Sequence, residues 1–172
     1  TIGSDRLADY EGAMQYYGCV IAPVANRIGG ANAVIDGQPC TFEANLEGQH
    51  TLHSGATGAQ HKVWQIDEIG EISVTLRIHL PNGLGGFPAN RDVTAHFEVL
   101  EGPALRLTIT TTTDAPSIAN ATNHSYWNLD GTDNFKGHQI RIAADHVLPT
   151  DALGLVTGQV ADVAGTAFDF RT

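Results

Sequence analysis

The run Val74-Thr75-Leu76-Arg77-Ile78-His79-Leu80 decides how the rest of the chain is read. Apolar side chains occupy every second position, with threonine, arginine and histidine between them. A period of two puts the apolar set on one face of a strand and the polar set on the other, as in a sheet with one buried and one solvated surface. The pattern returns at Leu105, Leu107 and Ile109, which alternate with Arg106, Thr108 and Thr110 before a threonine run to Thr113. Threonine suits the polar side because a β-branched side chain packs well on a pleated surface. Further out, Asp36-Gly37 separates Ala33-Val34-Ile35 from a second extended stretch ending at Phe42. Both central positions of a type I′ turn need positive φ, so this pair predicts a hairpin. Breaks fall at Pro81-Asn82-Gly83, Gly85-Gly86 and Glu101-Gly102-Pro103, and only residues 5–16 read as helical. With no internal repeat, linker or shift of composition, residues 1–172 are expected to belong to one all-β, antiparallel β-sandwich domain.

Composition narrows the function classes without choosing one. At 172 residues the chain is long enough for a core of its own. It carries 19 acidic residues against 9 lysines and arginines, a formal charge of -10. Nucleic acid and anionic membrane surfaces call for a basic footprint, so neither is expected as a partner. The hydrophobic fraction is an ordinary 42%, and no apolar run approaches the length of a membrane span. Cys19 and Cys40 are the only cysteines, too few for a disulfide framework and not spaced as a metal pair. They point to a reducing, cytoplasmic location, with a single bridge left open. The chain begins at Thr1 with neither a signal peptide nor an initiator methionine, so export also stays open.

Three segments collect polar residues that a plain strand does not need. Asn26-Arg27 follows the apolar residues 20–24 and precedes Gly29-Gly30. An arginine there can hold sugar hydroxyls with its planar fork of donors; the plainer alternative is a rim arginine paired with a carboxylate. His50-Thr51-Leu52-His53-Ser54-Gly55, with His61 downstream, raises the thought of zinc. No cysteine or further histidine-rich element completes a tetrahedral set, so no metal is expected. His50 and His61 read as solvated loop residues, whereas His53 can turn its imidazole into a polar cleft. The third segment, Ala121-Thr122-Asn123-His124-Ser125-Tyr126-Trp127-Asn128-Leu129, would as a strand place His124 beside Tyr126 on one face. An imidazole, with an unperturbed pKa of about 6.5, can give and take a proton near neutrality. The alternative is a core histidine satisfied by backbone groups.

Together these segments resemble the aldose 1-epimerase (galactose mutarotase) family. Residues 24–29, Val-Ala-Asn-Arg-Ile-Gly, resemble its arginine motif, and Leu52-His53-Ser54-Gly55 resembles its L-H-G-G turn with Ser54 in place of a glycine. Residues 122–129 resemble its N-H-[TS]-Y-[FW]-N-L signature, and Leu148-Pro149-Thr150-Asp151, Gly165-Thr166 and Phe168-Asp169-Phe170-Arg171 follow in order. The resemblance implies a galactose mutarotase-like supersandwich and an isomerase that interconverts the α and β anomers of free hexoses. It implies His124 as the general acid at the ring oxygen, His53 as the second active-site histidine, and Arg27 with Asn26 as sugar-binding residues. Tyr126 falls in the sugar-contacting part of the signature. Proton transfer by positioned side chains suffices, so no cofactor is expected. The partner is a small free sugar, and the protein is expected to be a monomer or homodimer.

The resemblance also implies residues that this chain does not assign. Family members are roughly twice as long, and their general-base glutamate follows the histidine signature, whereas Glu43, Glu47, Glu68 and Glu71 all precede it. The chain is therefore expected to be the central section of the fold, with opening strands and a C-terminal portion outside it. Half a sandwich on its own would leave sheet edges and core faces uncovered. The alternative function is a non-catalytic sugar-binding or sugar-sensing module that keeps the cleft and lacks the base.

Overall fold

In the computed structural model, which describes residues 2–102 and 104–172, the alternating runs become the long strands of a four-stranded sheet. Thr1 and Pro103, the last residue of the third expected break, lie outside the described residues. In chain order the elements are helix α1 (Leu7–Tyr10) and strands β1 (Val20–Ile21), β2 (Arg27–Ile28), β3 (Asn32–Ile35), β4 (Gln38–Thr41), β5 (Thr51–Leu52), β6 (Gln65–Ile69), β7 (Ser73–Leu80), β8 (Arg91–Leu100), β9 (Ala104–Thr113), β10 (Thr122–Asn123), β11 (His146–Val147) and β12 (Ala161–Asp162). The fold is all-β, as the alternation predicts. Contacts divide the chain into two compact units, Gly3–Tyr126 and, with Ile2, Trp127–Thr172.

In the first unit β6, β7, β8 and β9 form an antiparallel meander, with Ile78 opposite Val93 and Ala95 opposite Ile109. The two faces divide as the period of two requires. Ile78, Leu80 and Val93 are buried on one side, where Ala22 and Ala59 pack against them, and Ala95 is buried on the same face. The other side carries exposed cross-strand ion pairs, Arg77 with Asp67 at 3.0 Å and Arg106 with Glu98 at 3.3 Å. Exposed pairs are worth about 0–1 kcal/mol each, so they mark the wet face more than they stabilise the sheet.

The Asp36-Gly37 turn forms as expected: φ is 48° and 74°, and Ile35 pairs with Gln38. The resulting β3–β4 hairpin packs Ile35 and Phe42 against Val24 and Phe87 in a second apolar cluster. Phe42 and Phe87 stack with centroids 4.5 Å apart. Gly86, at φ +84°, makes that stacking possible, because a Cβ there would run into the Thr41 carbonyl. The fully buried Arg91 braces the same loop, donating to the Pro81 carbonyl at 2.8 Å.

Two expectations are corrected. The helix predicted over residues 5–16 is only the four residues of α1, and residues 11–18 are turns. Its N-terminal flank, Arg6, makes no side-chain cap, and Gly12 lies in the middle of the stretch, so a short helix there has little to stabilise it. The strand considered for residues 121–129 is the two-residue β10. Asn123 Oδ1 accepts the Ser125 N–H at 3.1 Å, an asparagine turn that takes the backbone out of the ladder.

The second unit is turn-rich. Its strand pair β11–β12 sets His146 opposite Asp162. Asp151 Oδ1 accepts from the Leu153 and Leu155 N–H groups at 2.9 and 3.0 Å, which fixes the Thr150-Asp151 turn. Arg171 clamps Asp169 through two bonds of 2.7 Å and reaches Asp145 at 2.9 Å. The clamp holds the Asp169 carboxyl below its usual range and raises the pKa of the guanidinium.

Candidate active site

The stretch of residues 20–28 assembles the site, because each of its ends pairs with a different polar segment. At one end β1 pairs with β10, Val20 opposite Asn123, which brings His124 alongside Cys19. The His124 N–H donates to the Cys19 carbonyl at 2.9 Å, and the Gly18 N–H donates to the His124 carbonyl at 3.2 Å. At the other end β2 pairs with β5, Arg27 opposite Leu52, which sets His53 next to Asn26. The two are latched twice. The His53 N–H donates to the Asn26 carbonyl at 2.9 Å, and His53 Nδ1 accepts the Asn26 N–H at 3.0 Å.

The backbone at this latch is unusual. His53, Ser54 and Gly55 have φ of 51°, 62° and 67°, a left-handed run that favours glycine, and Asn26 faces them at 62°. Such conformations cost of order 1–3 kcal/mol each and persist where the surroundings determine them. Ser54 is part of those surroundings. Buried at 1% exposure, its hydroxyl accepts from the Val24 N–H at 2.9 Å and donates to the Val24 carbonyl at 2.8 Å. Under the turn, Glu43 Oε2 accepts the Ala56 N–H at 2.8 Å.

The two imidazoles meet edge to face, with centroids 5.3 Å apart and planes at 85°. Burial, then the neighbouring His124 and Arg27, pushes the His53 pKa down to about 4. At neutral pH His53 is therefore uncharged. With Nδ1 accepting from Asn26, its proton sits on Nε2, which is left as a donor. Arg27 Nη1 donates to Asn26 Oδ1 at 2.9 Å, and among the described residues no carboxylate pairs with Arg27. Among the described residues the Arg27 Nε is buried without a partner. The rim-ion-pair alternative thus finds no support here, and among the described residues Nη2 makes no hydrogen bond and is left for hydroxyls. Tyr126 lies 5.2 Å from His124 and stacks on Tyr17 at 4.2 Å.

All five residues singled out from the sequence, Asn26, Arg27, His53, His124 and Tyr126, thus come together. His50 goes elsewhere: its Nδ1 accepts the Gly30 N–H at 2.9 Å and holds the turn before β3. Among the described residues no three His, Cys, Asp or Glu side chains are grouped to hold a metal. Sequence reasoning missed Tyr16, whose ring lies 5.0 Å from His53, and Gln60, which donates to the His53 carbonyl at 2.7 Å. Tyr16 was absorbed into the expected helix. Its available signal was the Tyr16-Tyr17-Gly18 aromatic pair just ahead of the first apolar run.

The family profile described as aldose 1-epimerase matches residues 1–172. The chain belongs to the aldose 1-epimerase family. It is 33% identical over 164 residues to the aldose 1-epimerase of Escherichia coli K12, covering 95% of this chain and 47% of that protein. It is 36% identical over 170 residues to the galactose mutarotase of Homo sapiens, covering 96% of this chain and 49% of that one. The crystal structure of a GalM/aldose epimerase homologue from C. elegans superposes with a TM-score of 0.92 at 29% identity, over 99% of this chain and 52% of that one. The chain thus spans about half the length of these relatives, and its all-β fold is that of the aldose 1-epimerase family.

Proposed function

We propose that this chain provides the acid and the sugar-binding residues of a mutarotase that interconverts the α and β anomers of free hexoses, D-galactose and D-glucose first. His124 protonates the ring oxygen, while a base takes the proton of the anomeric hydroxyl. The ring opens, the aldehyde turns about C1–C2, and closure gives the other anomer. Arg27 and Asn26 hold sugar hydroxyls, the Nε2–H of neutral His53 donates a further bond, and Tyr126 offers an aromatic face. A carboxylate fills the role of base in this reading, and none of the residues assigned here does so. The observation that carries the proposal is the imidazole pair 5.3 Å apart beside an arginine fork that no carboxylate claims among the described residues. The free thiols Cys19 and Cys40 support a cytoplasmic location, and the protein is proposed to be a monomer or homodimer.

Polarimetry of freshly dissolved α-D-galactose tests it. His124→Asn keeps a hydrogen-bonding group but cannot deliver a proton, so kcat should fall by about 10²–10⁴ with KM much less affected. Arg27→Lys keeps the charge and loses the fork, so weaker sugar binding should form a large part of its effect. Wild-type kcat in His124→Asn would mean that another residue is the acid. The alternative reading is a sugar-binding module without catalysis, which keeps the histidine and arginine groups and lacks the base. Calorimetric galactose binding by a wild-type protein that does not speed mutarotation would decide for it.

A further inference from the structure

Tyr16 stands outside every motif, yet it touches three imidazoles. Its ring centroid lies 5.0 Å from His53, 5.7 Å from His124 and 6.2 Å from His61. The turn that carries it is tied to His124. Gly18 and Cys19 exchange backbone bonds with His124, and Asn123 Nδ2 donates to the Gly18 carbonyl at 3.1 Å. The Cys19 thiol, which burial pushes up to a pKa of about 11 and so keeps protonated, donates to the Tyr16 carbonyl at 3.2 Å. Tyr16 and His124 are thereby fixed to the same backbone frame. Burial also raises the Tyr16 phenol, so it stays neutral. Among the described residues its hydroxyl makes no hydrogen bond, so what it presents to the imidazoles is its ring.

We propose that Tyr16 is a positioning residue for the histidine pair, its ring filling the space against His53 and His124 and keeping them edge to face. The catalytic consequence rests on the mutarotase reading; the geometric claim does not. His53 is held at Nδ1 by the Asn26 N–H, whereas His124 follows a two-residue strand and among the described residues its ring makes no hydrogen bond, so packing must set its rotamer. A ring packed on both limits their freedom, and a displacement of about 1 Å at a reacting group can cost about 10²-fold in rate.

The test is a double-mutant cycle with a spectroscopic arm. Tyr16→Leu in the wild-type background should lower kcat by about 10–100-fold with KM within about threefold. In the His124→Asn background the same change should cost less than about twofold, since Tyr16 acts through His124. Tyr16→Phe should restore near-wild-type kcat. By NMR, nuclear Overhauser contacts between the His53 and His124 rings should persist in wild type and Tyr16→Phe and vanish in Tyr16→Leu. Equal losses in both backgrounds, or imidazole contacts that survive Tyr16→Leu, would overturn the proposal. If wild type binds sugar without turning it over, the mutarotase reading fails and the NMR arm still decides on positioning. If Tyr16→Leu does not fold, contacts from the wild-type Tyr16 ring to both imidazoles decide: their presence supports the role, and their absence overturns it.

Discussion

His53 titrates ordinarily near 6.5 and in the folded protein near 4, because burial, His124 and Arg27 all oppose its charge. Between those values the unfolded chain binds a proton that the folded chain refuses. Stability therefore rises with pH across that window, is complete above about 6.5, and is lost progressively as pH falls toward 4. Asp114, Asp130 and Asp169 are depressed below an ordinary 3.8, so their contributions are lost only at lower pH. Urea midpoints should fall between pH 7 and 4.5, and His53→Gln should shrink the fall; an unchanged fall would assign it to other groups. Ser54 supports a second prediction. Ser54→Ala leaves the buried Val24 N–H and carbonyl without partners, costing about 1–3 kcal/mol. Ser54→Gly loses the same bonds but relaxes the left-handed backbone, which is worth about 1–2 kcal/mol. The alanine variant should be the less stable by chemical denaturation, and equal stability of the two would refute the role given to φ. At this scale the sequence was legible through family motifs rather than spacing. His53 and Asn26 are 27 residues apart and meet through two short strands that no periodicity announces.

Elements were legible where burial repeats. In β7 the alternation of Val74 to Leu80 carried the face assignment, and Asp36-Gly37 carried the β3–β4 turn, because both signals are local. The signal failed where side chains bond their own backbone. Asn123 ends β10 after two residues, yet His124 and Tyr126 still come within 5.2 Å, so the expected neighbours are present for a different reason. The same distinction predicts amide exchange. β7 and β8 are hydrogen-bonded on both sides, and Val93 and Ala95 are fully buried, so their amides should exchange slowest. Residues 128–134 are held by side-chain turns, such as Thr132 N–H to Asp130 Oδ1 at 3.0 Å, and should exchange fastest. Comparable protection in residues 128–134 and in β8 would contradict this.

Across the whole molecule, the division after Tyr126 was not legible, because overall composition barely changes there while side-chain turns take over residues 128–132. The chain spans about half the length of its relatives, and within it residues far apart in sequence are joined near the site. Val24 depends on Ser54, thirty residues away, and Asn26 depends on His53. That mutual dependence constrains how such genes can recombine. A crossover between positions 28 and 50 with a gene that carries glycine at 54 would strand the two buried Val24 backbone groups, whereas one before 24 or after 54 would not. The two loops should therefore be inherited, and exchanged in laboratory chimeras, as a single piece.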